Sequence, residues 1–348
     1  MTRHTGNFKS QPKMRLANTA AIISACCLAL PVNADPDRLL TFATLKSVEG
    51  SIGTAEQAEA INAKAASIGF TASPQPHYDF SLRPELSYSH NINGGNKPEP
   101  LSVGSFVFNG DPANYKKEGV ITGLNATQTA RLFYGYGRYI DASITAGGAY
   151  SFEHDLGLAN VNLHACSMNH LSNWWFLDIC GDKAMAYRDL TQSQATTQSI
   201  ALSRFLETSN GAFSQLRLGA QSYAPEGYTQ TQLIAGIDTV TASGTYSALE
   251  FIFGAPIQNE LTTEIGVTAE VSTFVKDRPI SVSLSYENTT GGLFFSQPRN
   301  EVHYAISAIV PIGNQIKASV GYSVTDSTID YFDSAAPTLG FSFAPFEF

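Results

Sequence analysis

The stretch Ile140-Asp-Ala-Ser-Ile-Thr-Ala-Gly-Gly-Ala-Tyr-Ser-Phe152 alternates mainly apolar positions with small or polar ones. Successive side chains of a β-strand point to opposite faces, so a strand with this sequence has one apolar face and one polar face. Residues 261–272, 280–287 and 316–325 repeat the alternation. This period of two continues from Tyr78 to the end of the chain, and it predicts an all-β fold.

The character of the two faces distinguishes a membrane barrel from a soluble β-sandwich, which also alternates. The polar face carries charges in mid-strand, among them Glu250 and Lys317, and the apolar face tends to end in aromatic residues. The segments also exceed the length of soluble strands, which average about 5–6 residues. Segments of about 10 residues, apolar outside and polar inside between aromatic girdles, are typical of transmembrane barrels. We therefore predict a transmembrane antiparallel up-and-down β-barrel over residues 78–348.

Turn clusters divide the barrel region into candidate strands. Single-chain bacterial barrels have an even number of strands. The second candidate, 101–108, alternates least and is assigned to a loop, which leaves about fourteen strands within a range of roughly 12–16. The candidates are 78–90, 101–108, 119–134, 138–152, 158–170, 173–187, 193–208, 211–225, 228–241, 244–257, 260–275, 279–290, 300–312, 315–327 and 338–348.

Composition and charge exclude several classes of protein. Charged residues make up 15% of the chain, whereas soluble domains average about 25%, and aromatic residues are frequent, with 21 Phe and 15 Tyr. No stretch approaches the roughly 18 apolar residues that a membrane helix needs. The chain has 30 acidic and 21 basic residues, without the clustered Lys and Arg of nucleic-acid-binding proteins. We therefore expect no nucleic acid among its partners.

The first 34 residues have the pattern of a secretory signal peptide. A basic n-region precedes the apolar run 16–30, and Val32-Asn-Ala34 places small residues at the cleavage positions. Ile23-Ser-Ala-Cys26 leaves a lipoprotein cleavage box open as an alternative. Cleavage after Ala34 removes four of the 21 basic residues and no acidic one, so the mature chain carries 17 − 30 = −13 charges.

Residues 35–77 differ from the rest of the chain. Thr54-Ala-Glu-Gln57 has the pattern of a capping box, and apolar residues at near-helical spacing follow from Ala58 to Ile68. The breaker Ser73-Pro-Gln-Pro76 ends this segment. We expect a periplasmic leader with a short helix. The alternative is a plug or strut that lies inside or beneath the barrel.

Two cysteines, Cys166 and Cys180, remain after signal cleavage, in a compartment where disulfides are the default. Segments 158–170 and 173–187 would form a hairpin that turns near Ser172-Asn173. Opposed residues of a symmetric hairpin have numbers with a constant sum, and 166 + 180 = 346 is twice 173. We therefore predict a disulfide between them that points into the lumen. The sequence has no Cys or His spacing of a metal site, and we expect neither metal nor cofactor.

The chain ends in Leu339-Gly-Phe-Ser-Phe-Ala-Pro-Phe-Glu-Phe348. This end resembles the terminal signal of Gram-negative outer-membrane proteins, which the barrel-assembly machinery reads, with Phe346 and Phe348 at its alternating apolar positions. The resemblance implies location in the outer membrane of a Gram-negative bacterium, with outer-membrane lipids and the assembly machinery as partners. Leu86-Ser-Tyr-Ser-His-Asn-Ile-Asn93 resembles the first barrel strand of the surface lipoprotein assembly modifier family, which implies fourteen strands and a translocated lipoprotein as partner.

One motif suggests catalysis. His170-Leu-Ser-Asn173 resembles the His-x-Ser-Asn core of outer-membrane phospholipases and lipid A deacylases. A serine nucleophile needs a base within hydrogen-bond reach, a third group that orients the base, and an oxyanion site. Here the motif falls at a predicted hairpin turn, where Asn173 explains the local geometry equally well. We therefore expect no enzyme, and keep a lipid hydrolase at His170 and Ser172 as a minor alternative.

The polar faces of the strands are expected to line the lumen. An acidic excess there would favour cations over anions. We therefore expect a porin-like channel or translocation pore for small solutes. The alternatives are a secretion helper of the lipoprotein-modifier type and a purely structural barrel. The predicted lumen-lining residues are Arg131, Asp141, His164, Asp178, Arg217, Glu250, Glu264, Glu270, Glu287, His303 and Lys317.

Overall fold

The structure is a computed structural model that describes residues 36–47, 55–71, 73–103, 106–275, 278–313 and 315–347. The predicted signal peptide and Phe348 lie outside these residues. Two helices precede the barrel, α1 at Pro36–Ser47 and α2 at Ala55–Ser67. The sequence predicted only the second helix, and its expected capping residue Thr54 is not among the described residues. Neither helix in the described part of the chain is long and apolar enough to cross a membrane.

The remainder of the described chain is almost entirely β-structure. Short 3₁₀ turns at Pro112–Asn114 and Asp330–Phe332 interrupt two of the connections. The strands are β1 His77–Ser89, β2 Leu101–Val103, β3 Phe106–Phe108, β4 Gly119–Gly135, β5 Arg138–Ser151, β6 Leu156–Ser172, β7 Trp175–Tyr187, β8 Gln192–Glu207, β9 Phe213–Pro225, β10 Gln230–Val240, β11 Tyr246–Gly254, β12 Thr262–Val275, β13 Arg278–Phe294, β14 Gln297–Pro311, β15 Ile316–Ser327, β16 Ser334–Phe343 and β17 Phe346–Glu347.

Fourteen of these strands, β1 and β4 to β16, form a closed barrel in which chain neighbours pair antiparallel. Both β16 and the two-residue β17 pair with β1, so β17 continues the last strand after a break at Pro345. The predicted count of fourteen and the up-and-down order are confirmed. The weak candidate 101–108 is a small hairpin, β2–β3, outside the barrel sheet.

The two ends of the barrel differ in their connections. At the end where β4 turns into β5, which we call the turn end, the connections from β4–β5 to β14–β15 are short. The opposite end, which we call the loop end, carries the long connection 90–118 between β1 and β4. Outer-membrane barrels place short turns in the periplasm and longer loops outside. By that rule, the turn end with α1 and α2 is periplasmic.

The outer face of the barrel is apolar. Ile144 is 44% exposed and Val320 is 56% exposed, both in the middle of their strands. Their neighbours Thr145 and Ser319 point inward, because adjacent residues of a strand face opposite sides. Only a closed barrel satisfies all backbone hydrogen bonds of strands within lipid. The closed barrel, the apolar exterior and the polar interior identify the chain as a β-barrel of the Gram-negative outer membrane.

Candidate functional site in the barrel lumen

Helix α1 lies inside the lumen at the turn end. Arg38 near its start is 1% exposed, and its two terminal nitrogens donate to the Asp178 carboxylate at 2.9 and 2.7 Å. The guanidinium also stands 4.8 Å from the Phe176 ring centroid. A two-point arginine–carboxylate contact fixes orientation as well as distance. Asp178, predicted to line the lumen, is therefore the anchor of α1.

An aromatic slot holds the same helix. The Phe42 ring lies 4.7 Å from Trp174, 5.6 Å from Phe205 and 5.8 Å from Phe213, measured between centroids. Leu39 and Phe42 are both buried in this cluster. Aromatic pairs in tilted or edge-to-face geometry add about 0.5–1.5 kcal/mol each beyond the area that they bury. The apolar side of α1 thus packs against inward-facing residues of the wall.

The end of helix α2 and the residues that follow it lie against β4 to β7 at the same end. Ile68, directly after the helix, is buried against Tyr139, Met168 and the two cysteines. Gly69 follows with a φ of 76°, which favours glycine at a helix end. Its carbonyl oxygen accepts from the backbone N–H of Gly137 at 2.9 Å. Residues 35–77 were expected to be a periplasmic leader, with a plug or strut inside or beneath the barrel as the alternative. Of the described helices, α1 lies within the lumen at the turn end, whereas much of α2 is exposed.

The β6–β7 hairpin carries the predicted disulfide. Cys166 and Cys180 oppose each other in the ladder, bonded through their sulfurs with 4.1 Å between Cα atoms. The turn residues Asn173 and Trp174 have φ values of 48° and 62°. Two consecutive left-handed residues are typical of the two-residue turns that suit twisted hairpins. The disulfide prediction is confirmed, and both cysteines are buried beneath α2.

Ion pairs cross the inner wall between neighbouring strands. Arg131 donates to its cross-strand partner Asp141 at 2.5 Å, and also to the Ser67 carbonyl oxygen of α2 at 2.9 Å. Arg217 on β9 reaches Glu250 on β11 at 2.6 Å. It passes over Gly236 of the intervening strand, where an added Cβ would lie 3.1 Å from the guanidinium. A side chain at Gly236 would therefore crowd the Arg217–Glu250 pair.

The other predicted lumen residues make smaller contacts. His164 shares a 2.6 Å hydrogen bond with Asp182. Glu287 accepts from Thr263 at 2.6 Å, and Glu270 accepts from Ser272 at 3.2 Å. Lys317 is exposed, near the turn end of β15.

Glu264 does not line the lumen as predicted. The ladder between β12 and β13 shifts register between Thr263 and Ile265, which places Glu264 at a β-bulge. Thr263 bonds Glu287, whereas Glu264 accepts from Asn288 at 3.1 Å. Glu287 and Asn288 are successive residues and face opposite sides. Glu264 therefore shares the outer side with Asn288, because the extra residue of the bulge reverses the alternation.

The sequence analysis predicted one member of a further buried cluster, His303, and missed the other two, Arg299 and Glu301. Arg299 donates to Glu301 at 2.7 Å, and His303 stands 3.2 Å from the same carboxylate. His303 also shares a 2.9 Å hydrogen bond with Thr325, while Arg299 stacks on Phe332 with 3.5 Å to the ring centroid. The alternation at 299, 301 and 303 was a usable signal. Arg299 was overlooked because the strand was predicted to begin at residue 300, whereas β14 begins at Gln297. Glu301 lies within the predicted strand but was not included among the predicted lumen-lining residues.

At the loop end, the connection 90–118 folds over the mouth of the barrel. Ile92 and Asn93 are buried, and the Asn93 carbonyl accepts from the backbone N–H of Leu190 at 2.9 Å. On the other side, Phe108 stacks on Phe295 with 5.7 Å between centroids. The β7–β8 and β13–β14 connections are far apart in strand order. The segment therefore reaches across the mouth and narrows the lumen at this end.

The motif at residues 170–173 has a structural role in the barrel. The His170 ring packs edge-on against Phe70 with 4.9 Å between centroids, and lies 5.2 Å from Phe176. Ser172 is exposed at the turn. Within the described residues, no hydrogen bond joins His170 to Ser172, and no group of His, Cys, Asp and Glu could hold a metal ion. The aromatic contacts of His170 help to seat the segment after α2.

Comparison with known proteins gives likeness of architecture alone. No protein-family model and no curated protein matches the chain. Pseudomonas putida OprB at high pH shares 7% identity over 78% of this chain and 94% of its own, with a TM-score of 0.43. Pseudomonas aeruginosa OpdK with vanillate shares 8% over 79% and 99%, with a TM-score of 0.40. The β domain of the Bordetella autotransporter BrkA shares 9% over 78% and 100%, with a TM-score of 0.30. At these values the solute or partner has to be inferred from the residues of this chain.

Proposed function

We propose that the protein is a porin-like channel of the outer membrane that admits small hydrophilic solutes. The observation that carries the proposal is the polar inner wall of a closed barrel. Hydrogen-bonded hydroxyl pairs cross it between strands, such as Thr127 with Thr145 at 3.1 Å and Ser283 with Ser307 at 2.7 Å. These side chains are only partly buried, so water reaches them. A wall of hydroxyl groups offers solutes replacements for their hydration shell.

The charges of this wall favour cations. Arginines on the inner face are engaged with carboxylates, among them Arg131 with Asp141 and Arg217 with Glu250. Such pairs contribute little net field. Glu270 accepts a hydrogen bond from the neutral side chain of Ser272 instead. This carboxylate leaves a negative potential in the lumen, which raises the local concentration of cations.

Conductance in planar bilayers tests the proposal. Thr145→Trp narrows the lumen at mid-height, whereas Ile144→Trp places the same bulk in lipid and serves as the matched control. We expect a smaller unitary conductance for Thr145→Trp and none of this effect for Ile144→Trp. Glu270→Gln should move the reversal potential in a salt gradient toward zero. Equal conductance of the two tryptophan variants would contradict passage through the lumen.

A second candidate, a secretion helper that opens sideways, is favoured by the barrel seam. Among the described residues, β16 and its continuation β17 share six paired positions with β1, against thirteen between β1 and β4. Ser87 opposes Gly340 there, and a Cβ at Gly340 would lie 3.6 Å from that of Ser87, within disulfide range. The crosslink Ser87→Cys/Gly340→Cys should abolish surface display of a co-expressed lipoprotein and leave conductance intact. Unchanged display would remove this candidate.

A further inference from the structure

We propose that α1 is a displaceable gate, whereas α2 is a fixed part of the wall. The proposal rests on the channel function and adds its regulation: the lumen opens when α1 leaves its seat while α2 stays. It follows from a difference between the surfaces on which the two helices lie. One interface leaves buried polar atoms without partners, and the other satisfies them.

The wall residues on which α1 packs, which we call its seat, form two levels along the barrel axis. The level nearer the turn end is apolar and consists of Phe205, Phe213 and Val240 on β8, β9 and β10. The next inward residue along each of these strands is polar. These three residues, Ser203, Gln215 and Asp238, are 0%, 0% and 3% exposed.

The polar level is not satisfied by the docked helix. Among the described residues, the Ser203 hydroxyl, both amide atoms of Gln215 and one carboxylate oxygen of Asp238 lack hydrogen-bond partners. The hydroxyl of Thr41 on α1 is buried in the same way. A buried polar group without a partner loses the hydration that it has when exposed. Hydration of these groups therefore lowers the free-energy cost of releasing α1.

Side-chain contacts hold α1 against this tendency. Among them are the Arg38–Asp178 ion pair and the insertion of Phe42 into its aromatic slot. Both are made by single side chains of the helix, at positions four residues apart. Loss of a partner from a buried ion pair leaves an uncompensated charge, which strongly destabilises the state that buries it. The Arg38–Asp178 pair is thus the latch of the gate.

Helix α2 is attached differently. Its C-terminal carbonyls are engaged from the wall, by the guanidinium of Arg131 at Ser67 and by the backbone N–H of Gly137 at Gly69. Ile68 packs on the disulfide-bonded hairpin. These contacts satisfy polar groups on both sides of the interface and bury an apolar side chain, so hydration offers no gain on release.

Cysteine accessibility in the native barrel tests the gate, since Cys166 and Cys180 are already bonded to each other. Thr41→Cys reports on α1, and Ile68→Cys reports on the turn that directly follows α2. Both positions are buried when the helices are docked. A membrane-impermeant maleimide is the probe. We expect Arg38→Ala to speed labelling of Thr41→Cys by roughly tenfold or more, because it breaks a buried pair. Labelling of Ile68→Cys should remain slow.

Exchanging the charges of Arg38 and Asp178 tests whether loss of this ion pair is what releases α1. Arg38→Asp should release α1, and adding Asp178→Arg should restore slow labelling of Thr41→Cys. Glu301→Gln breaks the Arg299–Glu301 pair near the loop end of β14, away from both helices, and should leave labelling unchanged. If Thr41→Cys and Ile68→Cys become labelled at equal rates, or if Arg38→Ala leaves both slow, the gate proposal is overturned.

Single-channel recording of the same variants separates the gate from the channel. Arg38→Ala should increase the open probability without changing the unitary conductance. If Arg38→Ala speeds the labelling of Thr41→Cys but no variant conducts, the channel function is refuted and the motion of α1 is established. If a barrel whose only substitution is Thr41→Cys conducts while that cysteine stays fully protected from the maleimide, the gate is refuted and the channel function is retained.

Discussion

Arginine placed on either face of the same strand tests the assignment of the two faces. Ile144 points into lipid at the middle of β5, so Ile144→Arg should cost about 2–4 kcal/mol of unfolding free energy, as for charges at the bilayer midplane. The next residue, Thr145, points into the lumen and shares a hydrogen bond with Thr127. Thr145→Arg places its charge in water and loses that bond, at a cost of about 1 kcal/mol.

The expected difference of about 1–3 kcal/mol is measurable by urea unfolding in lipid vesicles. With an m-value of about 3 kcal/mol per molar urea, it corresponds to about 0.3–1 M between the two midpoints. Val320→Arg and Ser319→Arg repeat the comparison on β15, on the other side of the barrel closure. Equal penalties within either pair would mean that the lumen is dry or that the faces are assigned wrongly.

Three further predictions concern other parts of the barrel. Denatured, unreduced protein should show no reactive thiol at Cys166 or Cys180, as measured by thiol labelling. Replacing both cysteines with serine should lower the unfolding free energy by about 3 kcal/mol, as measured by urea unfolding. Deletion of Phe348 should reduce the fraction of protein inserted in the outer membrane, as measured by fractionation, and full insertion would contradict a role in assembly. Gly219→Ala should destabilise the barrel, because its Cβ would lie 2.5 Å from the backbone carbonyl oxygen of Ile200. Gly148→Ala meets nothing within 4 Å and should be neutral. Equal urea midpoints for the two variants would contradict this reasoning.

Strand positions and faces were predictable because each strand meets lipid on one side and water on the other. That contrast is local, so alternation within ten residues reports it without knowledge of the neighbours. The disulfide was predictable for a related reason. A two-residue turn at Asn173 and Trp174 alone would pair residues whose numbers sum to 347, as Ser172 and Trp175 do. A register shift between His170 and Ser172 changes the sum to 346, so Cys166 opposes Cys180 as a hairpin centred on residue 173 requires.

The position of α1 was not predictable in this way. Its sequence Pro36-Asp-Arg-Leu-Leu-Thr-Phe42 is short and mixes charged with apolar residues. Its anchor is a carboxylate 140 residues away in the chain, at Asp178. A contact of that kind exists only after the barrel has closed, so no periodicity in the sequence reports it. Glu264 escaped prediction for a different reason, because a single extra residue at a bulge reverses the alternation.

The disulfide of the β6–β7 hairpin also bears on the order of events in biogenesis. A slip by one residue would turn every side chain of a strand to the wrong face. Thiols become oxidised in the periplasm, before a barrel reaches the outer membrane. A bond between Cys166 and Cys180 formed at that stage selects one alignment of the two strands in advance. The hairpin would then reach the membrane with its two strands already in register. Strands β5 and β8 would pair with its two edges in the register that the hairpin sets.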